Sequence, residues 1–286
     1  MKICPVCDTV YPNRQAKCDK DGAILVGSRQ VSSLFQNPLV VALMLVIALA
    51  ALATGLPTSM LVKRASRLDK AGHHAYARIL LSLACTRGEG EACTALGNIY
   101  DEGSSVAEDY SRAAVLYDKA CDLGDSAGCG NLGVMYEGFG LAKDASRAVS
   151  LYLREASLLV DACQAGDASS CLDVGEMYND GLRVARDYPR AAELYSKACD
   201  GGKAEGCEKL GFMYDVGEGV GKDDFHAKNL YAKACNSGDE SGCTALAIEY
   251  MDGNAADENI PRARQLFEKA CSMGTEWACA EAVKLR

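Results

Sequence analysis

Histidine occurs only three times in this chain, at His73, His74 and His226, tryptophan once, at Trp277, and proline six times in 286 residues. No Ser-x-x-Lys or Lys-Thr-Gly is present, so the usual serine machinery of penicillin recognition is missing. His-Glu-x-x-His and Walker-type loops are absent too. Scarce proline, 28 glycines and alanine-rich stretches suit closely packed helices. With 49% hydrophobic and 24% charged residues, wholesale disorder is excluded. The net charge of −9 is unevenly spread: residues 1–68 hold eight Lys/Arg against three Asp, or +5, leaving −14 on residues 69–286. An acidic body of that size would meet phosphates with like charge, which excludes a nucleic-acid partner.

What the chain does have is one long apolar run and fifteen cysteines. From Gln30 to Val62 there is no charge, and the centre is eighteen apolar residues between Pro38 and Pro57. At 1.5 Å per residue, with flanking length, this segment reaches across roughly 30 Å of hydrocarbon. It shows no polar face, as a buried core helix usually would, and 37 residues precede the run, too many for a signal peptide. Residues 38–62 are therefore expected to form a single transmembrane helix, between linkers at 27–37 and 63–72.

Residues 1–26 carry Cys4-Pro5-Val6-Cys7, Tyr11-Pro12, Cys18 and Asp21-Gly22, a C-x2-C-x10-C-x2-D spacing. This pattern resembles the small zinc ribbons at the N-termini of many bacterial signalling and membrane proteins. Asp8 and Asp19 depart from the glycine and proline usual there. The resemblance implies zinc held by Cys4, Cys7, Cys18 and Asp21, with Asp19 or water as substitutes for the last, and three thiolates with a carboxylate suit a tetrahedral ion. So short a unit has little core of its own, and a metal would staple it. The alternative is a tail with three unliganded thiols.

The other twelve cysteines are periodic. Cys85, Cys121, Cys163, Cys199, Cys235 and Cys271 recur at intervals of 36, 42, 36, 36 and 36, and eight residues after each comes a second, at Cys93, Cys129, Cys171, Cys207, Cys243 and Cys279. A period near 36 with helical patterning marks a two-helix solenoid. In helix A, Ala113, Leu116, Tyr117 and Ala120 form one stripe at i, i+3, i+4 and i+7. Pro189 and Pro261 stand at the start of that helix, where a missing N–H is harmless. Three residues after each first cysteine comes glycine, from Gly88 to Gly274, where a helix end needs positive φ. Gly97, Gly133, Gly175 and Gly211 lie inside helix B, where glycine costs about 1 kcal/mol against alanine; close helix approach is the expected return. Tyr100, Tyr136, Tyr178, Tyr214 and Tyr250 follow at matching positions. Between Tyr152 and Cys163 the third unit has seven extra residues, nearly two turns, which predicts a longer helix A with its cysteine on the same face.

The A-x2-L-Y-x-K-A-C…G…C-x3-L-G-x2-Y pattern over residues 73–286 resembles Sel-1-like repeats, relatives of the tetratricopeptide repeat. The paired cysteines resemble the secreted, cysteine-rich bacterial type. The resemblance implies an all-α, right-handed α/α solenoid of about six two-helix repeats, preceded by the transmembrane helix and the zinc-ribbon-like head. It also implies that each cysteine pair (85–93, 121–129, 163–171, 199–207, 235–243, 271–279) is a disulfide. Across so tight a turn the Cβ atoms can come within about 4 Å, and each bridge would contribute roughly 2–3 kcal/mol in the chain-entropy model. Buried free thiols are the alternative.

Disulfides need an oxidising compartment and thiolate–zinc a reducing one. This favours a single-pass protein of the bacterial inner membrane with a cytoplasmic N-terminus and periplasmic repeats. Lys63, Arg64, Arg67 and Lys70 just after the apolar run argue for the reverse topology, but twelve paired cysteines outweigh a few charges. A solenoid offers a long surface and few enclosed pockets, so the expected function is binding a protein or peptide partner, with small-molecule chemistry disfavoured. Polar helix-B residues Asn98, Asn131 and Glu176 are the candidate partner contacts. Two alternatives come from the resemblance and the head: β-lactam binding or weak hydrolysis, described for some cysteine-rich relatives, and an assembly or regulatory role of the zinc head. His73 and His74 read as a solvated linker, His226 as a substituted surface position, and Asp101-Glu102 and Asp223-Asp224 as solvated loop ends.

Overall fold

The computed structural model describes residues 2–3, 10–11, 26–27, 56–181, 183–252 and 259–285. The chain divides into two compact units, residues 1–80 and 81–286. In the first, β1 (Lys2–Ile3) pairs antiparallel with β2 (Val10–Tyr11) and with β3 (Val26–Gly27), giving the order β2-β1-β3. The expected zinc ligands Cys4, Cys7, Cys18 and Asp21 lie outside the described residues, as does the apolar run through Gly55. Among the described residues no helix is long and apolar enough to cross a membrane.

Helix α1 (Thr58–Lys70) corrects one expectation. The stretch 63–72 is not an irregular linker, since the helix runs through it to Lys70. The reason is amphipathic spacing. Leu61, Val62 and Ala65 are buried while Lys63, Arg64 and Arg67 face solvent, a pattern of period 3.6 that a linker would not keep. Next comes α2 (His74–Thr86), whose first residue is tied back: His74 Nδ1 lies 2.7 Å from Asp69 Oδ1. His74 is thus a helix-joining contact rather than part of a solvated linker.

The repeat body continues with α3 (Gly90–Glu102), α4 (Tyr110–Asp122), α5 (Ser126–Tyr136) and the long α6 (Ala145–Gln164). It then runs through α7 (Ala168–Asp180), α8 (Tyr188–Asp200), α9 (Ala204–Val216) and α10 (Asp224–Asn236). It ends with α11 (Glu240–Asp252), α12 (Ile260–Ser272) and α13 (Glu276–Lys284). From α3 to α13 each helix packs on the next, and neighbouring B helices touch, α3 with α5 and α9 with α11. The result is a solenoid of helical hairpins. Each hairpin is closed by its own disulfide, Cys85–Cys93 through Cys271–Cys279, with Cα–Cα distances of 4.4–4.7 Å. The glycine three residues after each first cysteine has positive φ, 87–118° across the six, which an L side chain adopts only with strain.

Stacking of one hairpin on the next turns on a single interlock. A Cβ at Gly97 would lie 2.5 Å from the Tyr117 ring, at Gly175 2.8 Å from Tyr195, and at Gly211 2.9 Å from Tyr231. The helix-B glycine is the socket for the next helix-A tyrosine, and those tyrosines are buried to within 1–2%. The packing gained outweighs the helix propensity lost. In the last pair the socket is Ala247 and the plug Phe267, both in one buried cluster, and Trp277 meets Phe267 edge-on at 5.5 Å.

Each hairpin-to-hairpin crossing uses a second repeated device that sequence reading missed. Asp109, Asp144, Asp187, Asp223 and Asn259 cap helix A by accepting from the backbone N–H three residues on, at 2.9–3.1 Å. Their own N–H groups donate to the carbonyls of Tyr100, Tyr136, Tyr178, Tyr214 and Tyr250 at 2.8–2.9 Å. One cap residue therefore ends helix B and starts helix A together. The residue whose N–H is capped also covers that tyrosine: Arg112 on Tyr100, Arg147 on Tyr136 and Arg190 on Tyr178, with guanidinium-to-centroid distances of 4.8, 5.3 and 4.3 Å. His226 takes the same place on Tyr214, ring to ring at 4.7 Å. It is a stacking partner and not merely a surface substitution, and Asp223 is a cap and not a loose loop end.

The seven-residue insertion extends α6 to 20 residues against 13 in the other A helices from α4 on, and Cys163 still reaches Cys171. The helix keeps two registers. Tyr152 plugs the Gly133 socket, with Ala148 buried one turn before it, while Glu155 occupies the place, eight before the cysteine, that Ala113 and Ala191 hold elsewhere. A carboxylate thus stands where the fold wants a methyl. Burial raises the pKa of Glu155, and Arg183, 3.4 Å away, opposes that rise. Arg183 also lies over Tyr152 at 4.9 Å and has a left-handed backbone, φ 70°, a strained conformation for a residue with a Cβ.

Candidate interaction surface

The candidate contacts Asn98 and Asn131 come together. Asn98 lies in the last turns of α3 and Asn131 in the first turns of α5, and the Asn131 Nδ2 donates to Asn98 Oδ1 at 3.1 Å. The buried Tyr117, plugged into Gly97, brings its hydroxyl to the same place and donates to Asn98 Oδ1 at 2.7 Å and, at 3.4 Å, towards Asp101 Oδ2. Burial first, then the Asp101 and Glu102 charges, hold the phenol far above its usual range. It remains a neutral donor at any physiological pH.

These groups form the floor of a cavity of about 680 Å³. Asp101 and Glu102 line one side, Val134 and Met135 supply apolar surface, and Tyr110 with Phe139 supply aromatic walls. Phe139 is 68% exposed, in a loop whose neighbours Gly138 and Gly140 have φ of 113° and 94°. A Cβ at Gly140 would lie 2.7 Å from the Tyr110 ring, so only glycine lets that loop fold down on it. Asp101 is half-buried beside Tyr117 and is not a solvated loop end. Sequence reading missed Tyr117, Tyr110 and Phe139; the Gly-Phe-Gly triplet was the available signal.

Glu176 does not join this cavity. It sits on α7 and its carboxylate is 3.9 Å from Lys209 Nζ on α9. It belongs to a stretch of carboxylates on the B helices that includes Asp173, Glu208 and Glu249, each with its pKa raised chiefly by burial. The sign of the resulting pH dependence follows. A group whose folded pKa lies above its unfolded value favours the fold when protonated, and that contribution is lost as pH rises through the elevated value. Asp167, lowered by hydrogen bonds from Ser170 and Ser169, acts oppositely, but its loss falls below the ordinary Asp range. Thermal unfolding of the oxidised protein should therefore move up by a few degrees from pH 7.5 to pH 5, read by circular dichroism. A midpoint that falls steadily over that interval would contradict the burial of these carboxylates.

Among the described residues no group of three or more His, Cys, Asp or Glu is placed to hold a metal. The described residues define an all-α repeat solenoid of the protein-interaction class. Five segments, 90–125, 126–158, 168–203, 204–239 and 241–275, match the Sel1 repeat, and the chain belongs to that family. It is similar to a protective antigen of uropathogenic Escherichia coli with an SLR fold, at 30% identity and TM-score 0.62. That likeness covers 82% of this chain and 50% of the antigen, so the chain spans half the antigen's length. A Sel1 repeat protein from Oxalobacter formigenes is similar at 25% identity and TM-score 0.59, covering 77% of this chain and 87% of that one. No curated protein matches.

Proposed function

We propose that this chain is a membrane-anchored scaffold whose repeat body, in the bacterial periplasm, holds a protein or peptide partner. The observation that carries this reading is a Sel1 solenoid whose six consecutive hairpins are each closed by a disulfide, since a reducing compartment would not sustain such bonds. The apolar run ending at Pro57 supports the anchor, and its eighteen residues suffice for one crossing. Cys4, Cys7, Cys18 and Asp21 would hold zinc at the cytoplasmic end. The donor set of three sulfurs and a carboxylate supports this, as does the chain placement of the C-x2-C between β1 and β2. Zinc there would act as a structural staple.

Exposed apolar residues on the B helices, Phe212 at 50% and Ile248 at 37%, suit a partner surface with an acidic surround. A photo-crosslinking amino acid at Phe212 or Phe139 of the full chain in living cells should give discrete adducts of defined mass. Absence of adducts from both positions would remove the scaffold reading.

A further inference from the structure

We infer that the cavity between α3, α4 and α5 is a socket for a single cationic side chain, lysine or arginine, presented by an extended peptide segment of the partner. The inference rests on the interaction reading above and names the chemistry of one of its contacts.

Three features of the cavity converge on that ligand. Its lining has two carboxylates and no basic residue: Asp101 and Glu102 carry charge, while the Tyr117 hydroxyl and one N–H of Asn131 are already engaged on Asn98 Oδ1. An anionic ligand would meet repulsion, and a neutral one would leave carboxylates without a counter-charge. Two aromatic rings, Tyr110 and Phe139, bound the opening, and a cation near an aromatic face gains about 0.5–2 kcal/mol depending on desolvation. Val134 and Met135 add apolar surface for the aliphatic stem that both long cationic side chains bring with them. A volume of about 680 Å³ admits such a side chain together with a neighbouring residue. The excess of −14 over residues 69–286 adds long-range attraction for a basic segment.

The Tyr117 plug gives the socket a fixed floor. Its ring is held by Gly97 and its hydroxyl by Asn98, so the acceptors are in place before any ligand arrives, and little ordering remains to oppose binding.

The test is a selection of random phage-displayed dodecapeptides on the full chain in detergent, with disulfides intact. Selected peptides are then measured by fluorescence anisotropy on wild type, on the isosteric pair Asp101→Asn/Glu102→Gln, on Phe139→Ala and on Phe212→Ala. Circular dichroism of each variant shows whether the fold is kept. The expected result is a lysine or arginine at one fixed place beside an apolar residue. Binding should weaken by about tenfold or more in the isosteric pair and in Phe139→Ala, a change of about 1.4 kcal/mol. Selected peptides without a fixed cation, or equal binding by the isosteric pair, would overturn the socket. If those peptides lose binding only in Phe212→Ala, the interaction reading stands and the socket alone falls. If wild type selects nothing, both fall.

Discussion

Reduction of the six disulfides should lower the unfolding midpoint of the repeat body by tens of degrees or erase its cooperative transition. Each bridge closes a loop of eight residues' separation, for which the chain-entropy model gives about 2.5 kcal/mol. Six such terms reach on the order of 15 kcal/mol, as large as the whole stability of an ordinary domain. A solenoid is exposed to this loss because each hairpin touches only its neighbours and has no wider core to fall back on. Removing one bridge, by Cys199→Ser with Cys207→Ser, should lower the midpoint by about 5–10 °C. Trp277, packed edge-on against Phe267, is a built-in fluorescence reporter for the last hairpin. An unchanged midpoint in reductant would mean that packing alone holds the hairpins.

The interlocking tyrosines should give the next largest effect, and with an unusual split. Tyr195→Ala empties the Gly175 socket of a side chain only 1% exposed, which costs roughly 3–5 kcal/mol, or on the order of 10 °C in a body of this size. Tyr195→Phe should be neutral or slightly stabilising, because the buried Tyr195 hydroxyl has no hydrogen-bond partner among the described residues. Tyr117→Phe should instead lose about 1 kcal/mol, since that hydroxyl donates to Asn98. The chain makes the same exchange at its own end, where Phe267 stands in the plug position. Thermal denaturation of the three variants separates ring from hydroxyl. Equal losses for the two phenylalanine substitutions would contradict the geometry.

Much of this architecture can be read from residue spacing, because a repeat states each requirement six times. The cysteine period gives the hairpins, the glycine after each first cysteine gives the left-handed turn, and the helix-B glycines announce a close approach. The surplus of seven residues before Cys163 correctly foretells a longer helix, since nearly two turns restore the face.

What escaped was whatever depends on a partner outside the same helix. Asp109 and Asp187 look like ordinary loop acids until their backbones are seen to join two helices. Glu155 breaks the repeat pattern in a way that only the position of Arg183 compensates. The cavity at Asn98 is assembled from three helices and a Gly-Phe-Gly loop, and two of its three foreseen polar contacts are there because they share a helix-B face. Glu176 occupies a B helix as well, but two hairpins further along.

The central claim is that the twelve repeat cysteines are bonded in pairs in the cell, beyond the reducing interior. It is tested most directly by blocking whole cells with a thiol reagent, denaturing the protein without reductant, and mapping the labelled cysteines by mass spectrometry. The account predicts label on Cys4, Cys7 and Cys18 once metal is chelated, and on Cys85 through Cys279 only after reductant is added. Label on those twelve before reduction would contradict it.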